Sequence, residues 1–295
     1  MELHQLKTFY YVANCLNFSK AAEKLSLSQP AVSRQIEALE GNFKLPLFTR
    51  TGKKVELTDA GRRLLQYTER ILLLTDETEK AMQSLNNLES GEITIGSGTT
   101  VGNYILPSLM MEFQQKHPNI QLNLSIDNTS SIIEQLKKGT LDMAIIAKSL
   151  NYPEFNYKAL FQEEINLYTS KDFLEDYTAI KELQQLSSFP FLLRRQGSNT
   201  RENVDRFFKE QNFIPQQVVE FDTNEAIKQG IIKGYGLGFL SEHVTKYEVE
   251  LNLLVPIKLN NCCQRNFSLV SPKGKYTSPV QLIFSAFLKK NIFRI

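Results

Sequence analysis

Residues 60–89 contain no proline and a single glycine, Gly61, and their apolar positions return every three or four residues. Leu64, Tyr67, Ile71, Leu74, Thr78, Ala81, Leu85 and Leu88 form an a/d stripe over about four heptads. Continuous helix at 1.5 Å per residue would make this segment roughly 45 Å long. The segment before it is too small to cover a stripe of that length. A second copy of the chain can cover it, which predicts a homodimer through residues 60–89; packing on the protein's own body is the alternative. Thr78 and Ala81 thin the middle of the seam. The helix also divides the sequence, because the residues before it follow a helical period and those after Gly91 alternate strands with helices. With 295 residues the chain is too long for one typical core.

The segment SLSQPAVSRQIEALE, residues 26–40, sits between these helical patterns. Ser26 and Ser28 carry hydroxyls that can cap a helix start. Pro30 suits the first turn, where a backbone N–H has no partner to lose. Val32, Ile36, Leu39 and Phe43 recur at helical spacing and predict a buried face. Gln29, Ser33 and Arg34 fall on the opposite face, near the helix N-terminus. Upstream, Leu3, Leu6, Phe9, Ala13 and Leu16 mark a first helix. Ser19 is the expected cap of a second, with Ala21, Ala22 and Leu25 inward. Two short helices joined by a tight turn, the second polar outside, make a helix-turn-helix. Its second helix fits the major groove, where Arg pairs with guanine and Gln with adenine.

LPLFTRTGKKVELTDAG follows. Leu47-Phe48 and Val55–Leu57 read as two short strands turning at Thr51-Gly52, with Arg50, Lys53 and Lys54 clustered at the tip. Cations there suit phosphate contacts, which position a protein on DNA without specifying sequence. The charge distribution agrees: residues 1–65 hold ten Lys/Arg against six Asp/Glu, while the rest is slightly acidic. A three-helix module with solvated charges is the plainer reading. The run FSKAAEKLSLSQPAVSRQIEALE followed by LPLFTRTGKKVELTDAG resembles the N-terminal domain of LysR-type transcriptional regulators, with its AA, SQPAVS, LE and LF-R-T…LT-AG at that family's spacing.

The resemblance implies an α+β multidomain protein. A winged helix-turn-helix would occupy 1–58, a linker and dimerisation helix 59–90, and an effector-binding domain 91–295. It places DNA contacts on Ser19, Lys20, Gln29, Pro30, Ser33, Arg34, Arg50, Lys53 and Lys54. It further implies a double-stranded promoter as partner, a pair of half-sites read by a dimer, assembly to a homotetramer, and RNA polymerase as a further partner to consider.

The body reads as two α/β units. ITIGS, IQLNLSI and LDMAIIA are predicted strands, with helices over 101–116 and from a Thr129-Ser130 cap to Gly139; the alternation implies a parallel sheet. A second set begins near 164: FPFLLR, QQVVEF and GLGFLS as strands, with helices opening at 197–200 and at Thr223-Asn224. Near 266 the chain returns through FSLVS and a last helix, PVQLIFSAFLKK. Two units with two crossings resemble a periplasmic-binding-protein-like domain, with lobe I at 91–162 and 266–295 and lobe II at 163–265. Ligands of such sheets bind beyond the carboxyl ends of strands, at helix N-termini, where free N–H groups favour anions. The candidate contacts are Gly98, Thr99, Thr100, Thr129, Ser130, Ser198, Thr200 and Asn224, with Arg194, Arg195 and Arg201 flanking the third helix start. RRQGSNTR resembles the family's effector-contact segment. The expected effector is a small anion: a carboxylate, a sulfate-like ion or a sugar phosphate. Simple helix capping is the alternative for each hydroxyl.

Enzyme chemistry finds no constellation. His4, His117 and His243 are scattered, and no nucleophile elbow, P-loop or metal-spaced His/Cys cluster occurs. No catalytic residue, metal or cofactor is therefore expected. GYGLGFL precedes a strand, the wrong order for a dinucleotide fingerprint, and reads as a turn. A metabolite-binding or catalytic body whose head serves only self-association is the competing class. Cys15, Cys262 and Cys263 do not form a disulfide framework; Cys262-Cys263 next to Arg265 leaves redox sensing open. No apolar run reaches membrane-spanning length and no leader stands at the N-terminus, so a cytoplasmic location is expected.

Overall fold

The computed structural model describes residues 1–51, 54–86, 90–147, 152–173 and 177–292. It divides into two compact units, Met1–Asn86 and Asn87–Ile295.

The first unit comprises α1 (Leu3–Cys15), α2 (Phe18–Leu25), α3 (Gln29–Phe43), a hairpin of β1 (Phe48–Thr51) and β2 (Lys54–Leu57), and α4 (Asp59–Asn86). Phe9, Val12, Ala21, Val32, Ile36, Leu39 and Leu47 close its core. The caps differ from expectation. Asn17, not Ser19, caps α2 by accepting the Lys20 N–H at 3.0 Å. Ser28 caps α3, while Ser26 takes a left-handed φ of 54° and ends α2. Leu3, Leu16 and Phe43 are exposed because they sit at helix ends beyond the core; Leu47 and Phe48 of the hairpin are buried in it instead. The Glu40 carboxylate accepts the N–H groups of Leu47 and Phe48 at 2.6 and 3.2 Å, which ties the hairpin to α3. Gly61 is required by close approach, since a Cβ there would lie 2.2 Å from the Leu47 carbonyl oxygen.

The first unit includes α4 through Asn86. Its stripe is open: Tyr67 is 55 % and Leu74 63 % exposed. The side chains of Ala81 and Leu85, and the whole of Leu88, lie outside the described residues.

The second unit opens with β3 (Gly91–Ser97), α5 (Thr99–Tyr104), α6 (Leu106–Lys116), β4 (Ile120–Ile126), α7 (Thr129–Lys137) and β5 (Met143–Ala147). β3 pairs in parallel with both β4 and β5. The single helix expected over 101–116 is broken at Ile105, and Pro107, which lacks an N–H, stands in the first turn of α6. Asn128, rather than Thr129-Ser130, caps α7. Next come β6 (Phe155–Thr169), β7 (Pro190–Arg194), α8 (Asn199–Glu210), β8 (Gln217–Phe221), α9 (Asn224–Ile232), β9 (Leu237–Ser241), α10 (Glu242–Glu250), β10 (Val255–Ile257), β11 (Cys263–Pro272) and α11 (Pro279–Asn291). β7 runs parallel to β8 and β9.

One hydrogen-bonded path runs β4-β3-β5-β11-β6-β9-β7-β8, with β10 on β6. The fifteen-residue β6 and the antiparallel β11 pair along their length with a register shift between Phe267 and Ser268. These two strands serve two cores. Leu160 and Phe267 pack with Ile95, Phe113 and Phe284 on one side of the crossing. Ile165 and Cys263 pack with Phe191, Phe207 and Phe239 on the other. The body therefore consists of two lobes joined by two extended strands.

Candidate functional site

On the head, Gln29, Pro30 and Arg34 are exposed along the outer face of α3 and Ser33 is half-buried beside them. The Gln29 amide donates to the Ser33 hydroxyl at 2.9 Å, so one end of this face is ordered before any partner arrives. Ser19 and Lys20 are exposed in the first turn of α2. Lys54 is paired with Glu56 at 2.5 Å; that contact raises the lysine and lowers the carboxylate from their usual pKa values. The Arg50 side chain and Lys53 lie outside the described residues.

In the body, a cavity of about 310 Å³ opens where the two lobes face each other. Gly98, Thr99 and Thr100 at the start of α5, Asn128 and Thr129 at the start of α7, and Ser198, Asn199 and Thr200 at the start of α8 line it. Asp127, Arg194, Arg265 and Phe267 complete most of the wall. Of the residues expected here, Ser130 is exposed and outside the lining, because the α7 cap falls two residues earlier. Asn224 stands behind the wall, buried, where it accepts from Arg194 Nη1 at 2.9 Å and donates to the Thr100 hydroxyl at 3.4 Å.

Arg194 is the unusual group. It is only 8 % exposed, and its Nη1 also donates to the Thr99 hydroxyl at 3.3 Å, so lobe II grips lobe I through it. Its Nε is buried with no hydrogen-bond partner. Burial lowers its pKa and the neighbouring Asp222 opposes that shift, but Asp222 is itself paired with Arg195 at 3.0 Å on the surface. Arg201 is satisfied by Asp205 at 2.7 Å, Glu220 at 2.5 Å and the Arg194 carbonyl at 3.0 Å. Arg265 is satisfied by Glu163 and by the Thr200 hydroxyl. Among these cations, Arg194 alone is buried without a carboxylate ion-paired to it, and an uncompensated buried charge is costly.

Arg265, Asp127, Asn128 and Asn199 were not among the sequence candidates for this site. Arg265 had a signal. It shares the inward parity of β11 with Cys263, Phe267 and Leu269, and Glu163 shares that of β6 with Phe161 and Ile165. A charged residue on the buried face of a strand needs a partner or a ligand. A larger space of about 780 Å³ lies within lobe II between α10 and β6, lined by Tyr168, His243, Cys262 and Cys263 among others. Among the described residues no buried polar atom lacking a partner lines it, so size alone does not make it the site. Among the described residues no His/Cys/Asp/Glu group has metal-holding geometry, and no helix is long and apolar enough to cross a membrane.

Comparison with known proteins gives two family matches. Residues 3–62 match the bacterial regulatory helix-turn-helix protein, lysR family, and residues 86–292 match the LysR substrate binding domain. The RuBisCO operon transcriptional regulator of Allochromatium vinosum is 34 % identical over 297 residues, covering 100 % of this chain and 98 % of that protein. The HTH-type transcriptional regulator CbbR of Rhodospirillum rubrum is 31 % identical, covering 97 % and 95 %. Full-length CbnR complexed with its target DNA shares the fold with a TM-score of 0.69 at 23 % identity, covering 98 % and 99 %. The Synechocystis PCC6803 CcmR regulatory domain in complex with 2-PG aligns with a TM-score of 0.62 at 25 % identity, covering 68 % of this chain and 97 % of that domain.

Proposed function

The chain belongs to the LysR family of transcriptional regulators, and from that premise we propose that its body senses one small anionic metabolite in the inter-lobe cavity and passes the signal to the DNA-binding head. Arg194 carries this reading: a buried guanidinium with an unpaired Nε, set among helix N-termini, gains a counter-ion when an anion enters. The CcmR regulatory domain solved with 2-PG supports it, as a similar fold holding a small ligand. The same guanidinium bonds Thr99 across the cavity, so an anion that takes over its donors changes the bond that joins the lobes. A ligand acts on the protein only through such a difference in affinity between two arrangements.

In this reading residues 1–58 form the winged head, 59–90 the linker helix and 91–295 the sensor, with lobe I at 91–162 and 266–295 and lobe II at 163–265. Gln29, Ser33 and Arg34 meet bases; Ser19, Lys20, Arg50, Lys53 and Lys54 meet phosphates. The open stripe on α4, with Tyr67 and Leu74 exposed, is closed by a second chain, and pairs of dimers make the tetramer. The protein works in the cytoplasm, at promoters where RNA polymerase is the next partner it meets. The test is anion titration of the full chain by thermal melting and calorimetry, with inorganic phosphate and small phosphorylated acids as probes. Saturable stabilisation lost in Arg194→Met is expected. Equal stabilisation of both proteins would refute the assignment.

A further inference from the structure

The two lobes also meet away from the cavity wall. α5 belongs to lobe I and packs against α10 of lobe II. Its last residue, Tyr104, rests on a lobe II core that includes Tyr168, Ile227, Ile231, Leu240 and Val244; among the described residues it is the one lobe I side chain packed there. Beside that ring lies Lys228 of α9, which is only 6 % exposed. Its Nζ stands 5.9 Å from the centre of the Tyr104 ring, within reach of a cation–π attraction. The same Nζ is 2.6 Å from Glu248 and 3.0 Å from Glu225, and it donates to the Val244 carbonyl at 3.4 Å. Burial pulls the lysine's pKa down, but the bonds to Glu248 and Glu225 outweigh it and the net shift is upward, so the ammonium stays charged.

Stability within lobe II does not by itself explain a buried lysine here. An apolar side chain packed between α9 and α10 would hold those helices as well as a buried ion pair does. The cluster also leaves Glu248 Oε2 buried without a partner. What the ammonium adds is an attraction for a ring on the other lobe. Asn224 and Lys228 stand about one turn apart on α9, and Thr100 and Tyr104 about one turn apart on α5. Asn224 donates to Thr100 at 3.4 Å and accepts from Arg194 at 2.9 Å, and one turn on Lys228 faces Tyr104. The lobes are therefore joined at two levels of one helix pair. The first level shares Arg194 with the cavity, whereas neither Tyr104 nor Lys228 lines it.

We propose that Lys228 and Tyr104 are positioning residues that hold the lobes together while Arg194 turns from Thr99 to an anion, and so set anion affinity from outside the cavity. The effect on affinity rests on the cavity's being the effector site; the hold between the lobes does not. The contact at Thr99 uses the same Nη1 that meets Asn224, so an anion competes with that level directly. The Lys228 level keeps all its partners when the cavity fills. Its loss disfavours the closed arrangement, and an anion that binds this arrangement then binds more weakly.

Two measurements on the full chain test it, with Lys228→Met, Tyr104→Leu, their double variant and Tyr104→Phe, which keeps the ring. The first is amide hydrogen exchange without ligand, read over residues 99–105. Lys228→Met, a change on the other lobe, is expected to speed exchange of α5 about threefold or more, Tyr104→Phe to leave it unchanged, and the double variant to exchange no faster there than Tyr104→Leu alone. A lysine that serves lobe II alone would speed α9 and α10 and leave α5 untouched, which would overturn the proposal. The second is calorimetric titration with inorganic phosphate and phosphoglycolate. Tyr104→Leu is expected to weaken binding roughly three- to thirtyfold, the range of a desolvated cation–π contact, and Tyr104→Phe to restore it. Unchanged affinity in Tyr104→Leu would overturn the positioning role. Binding of neither probe by the unsubstituted protein would remove the cavity reading and the claim about affinity with it, while the exchange result still decides whether the contact holds the lobes.

Discussion

The ion pair between Glu163 and Arg265 joins the two strands that connect the lobes, and cutting it should cost far more than replacing it. The residues are register partners on β6 and β11 with almost no solvent exposure. Arg265 Nε lies 2.7 Å from Glu163 Oε1, the Ser241 hydroxyl donates to Glu163 Oε2 at 2.9 Å, and Arg265 Nη1 donates to the Thr200 hydroxyl at 3.0 Å. Glu163→Met strands a buried guanidinium; Arg265→Met strands a buried carboxylate. Either break costs about 3–5 kcal/mol. For a body spanning residues 87–295, where 1 kcal/mol moves the melting point by about 2–4 °C, that is roughly 6–20 °C. The double replacement removes both charges, so it should recover to within about 1–2 kcal/mol of the original protein. Thermal melting of the four proteins by circular dichroism, at one salt concentration, gives the cycle. Single variants melting within 2 °C of the parent by rough error, or a double variant that loses the sum of the singles, would refute the account of the pair.

Gly61→Ala, which in an ordinary helix stabilises by about 1 kcal/mol, should instead destabilise the head, because the new Cβ meets the Leu47 carbonyl; a melting point that rises would contradict the packing. Arg34→Ala should weaken specific DNA binding by about 1–3 kcal/mol while leaving melting unchanged, as read by anisotropy against a scrambled duplex. Burial pushes the Cys263 thiol up to about 12 while Cys262 is exposed, so alkylation at about pH 8 should label Cys262 and spare Cys263. An unfolded cysteine ionises near about 8.5, so stability that depends on the neutral Cys263 thiol is full below that pH and declines as pH rises above it. Stability climbing from about pH 8.5 to 10 in the parent but not in Cys263→Ala would reverse that sign.

Elements with local signals were legible in the sequence. The Ser28-Pro30 start of α3, the alternation of β4 and the glycine turn before β9 each follow from rules acting over a few residues. Cap identity was less so, because Asn17, Ser19, Asn128 and Thr129 all carry acceptors and only backbone geometry chooses among them. The length of β6 was hidden by a change of environment: Leu160 faces one core and Ile165 the other, so no single alternating pattern runs through Phe155–Thr169. Hydroxyls at helix starts singled out Thr99, Thr100, Thr129, Ser198 and Thr200, which lie on the wall of the inter-lobe cavity, whereas Arg265 and Asp127 reach that wall through long-range register and lobe apposition. Arg194, Arg195 and Arg201 look alike in RRQGSNTR; burial and partner choice alone separate the unpaired one from two that are neutralised.

The most direct test of a sensor joined to a DNA reader is fluorescence anisotropy of the full chain on a duplex from upstream of its own gene, titrated with and without a saturating anion that stabilises the body. The account predicts that the anion shifts the binding curve of the unsubstituted protein and leaves that of Arg194→Met where it was, although the variant still binds the duplex. An identical shift in both proteins, or no shift at an anion concentration that saturates the cavity, would contradict it.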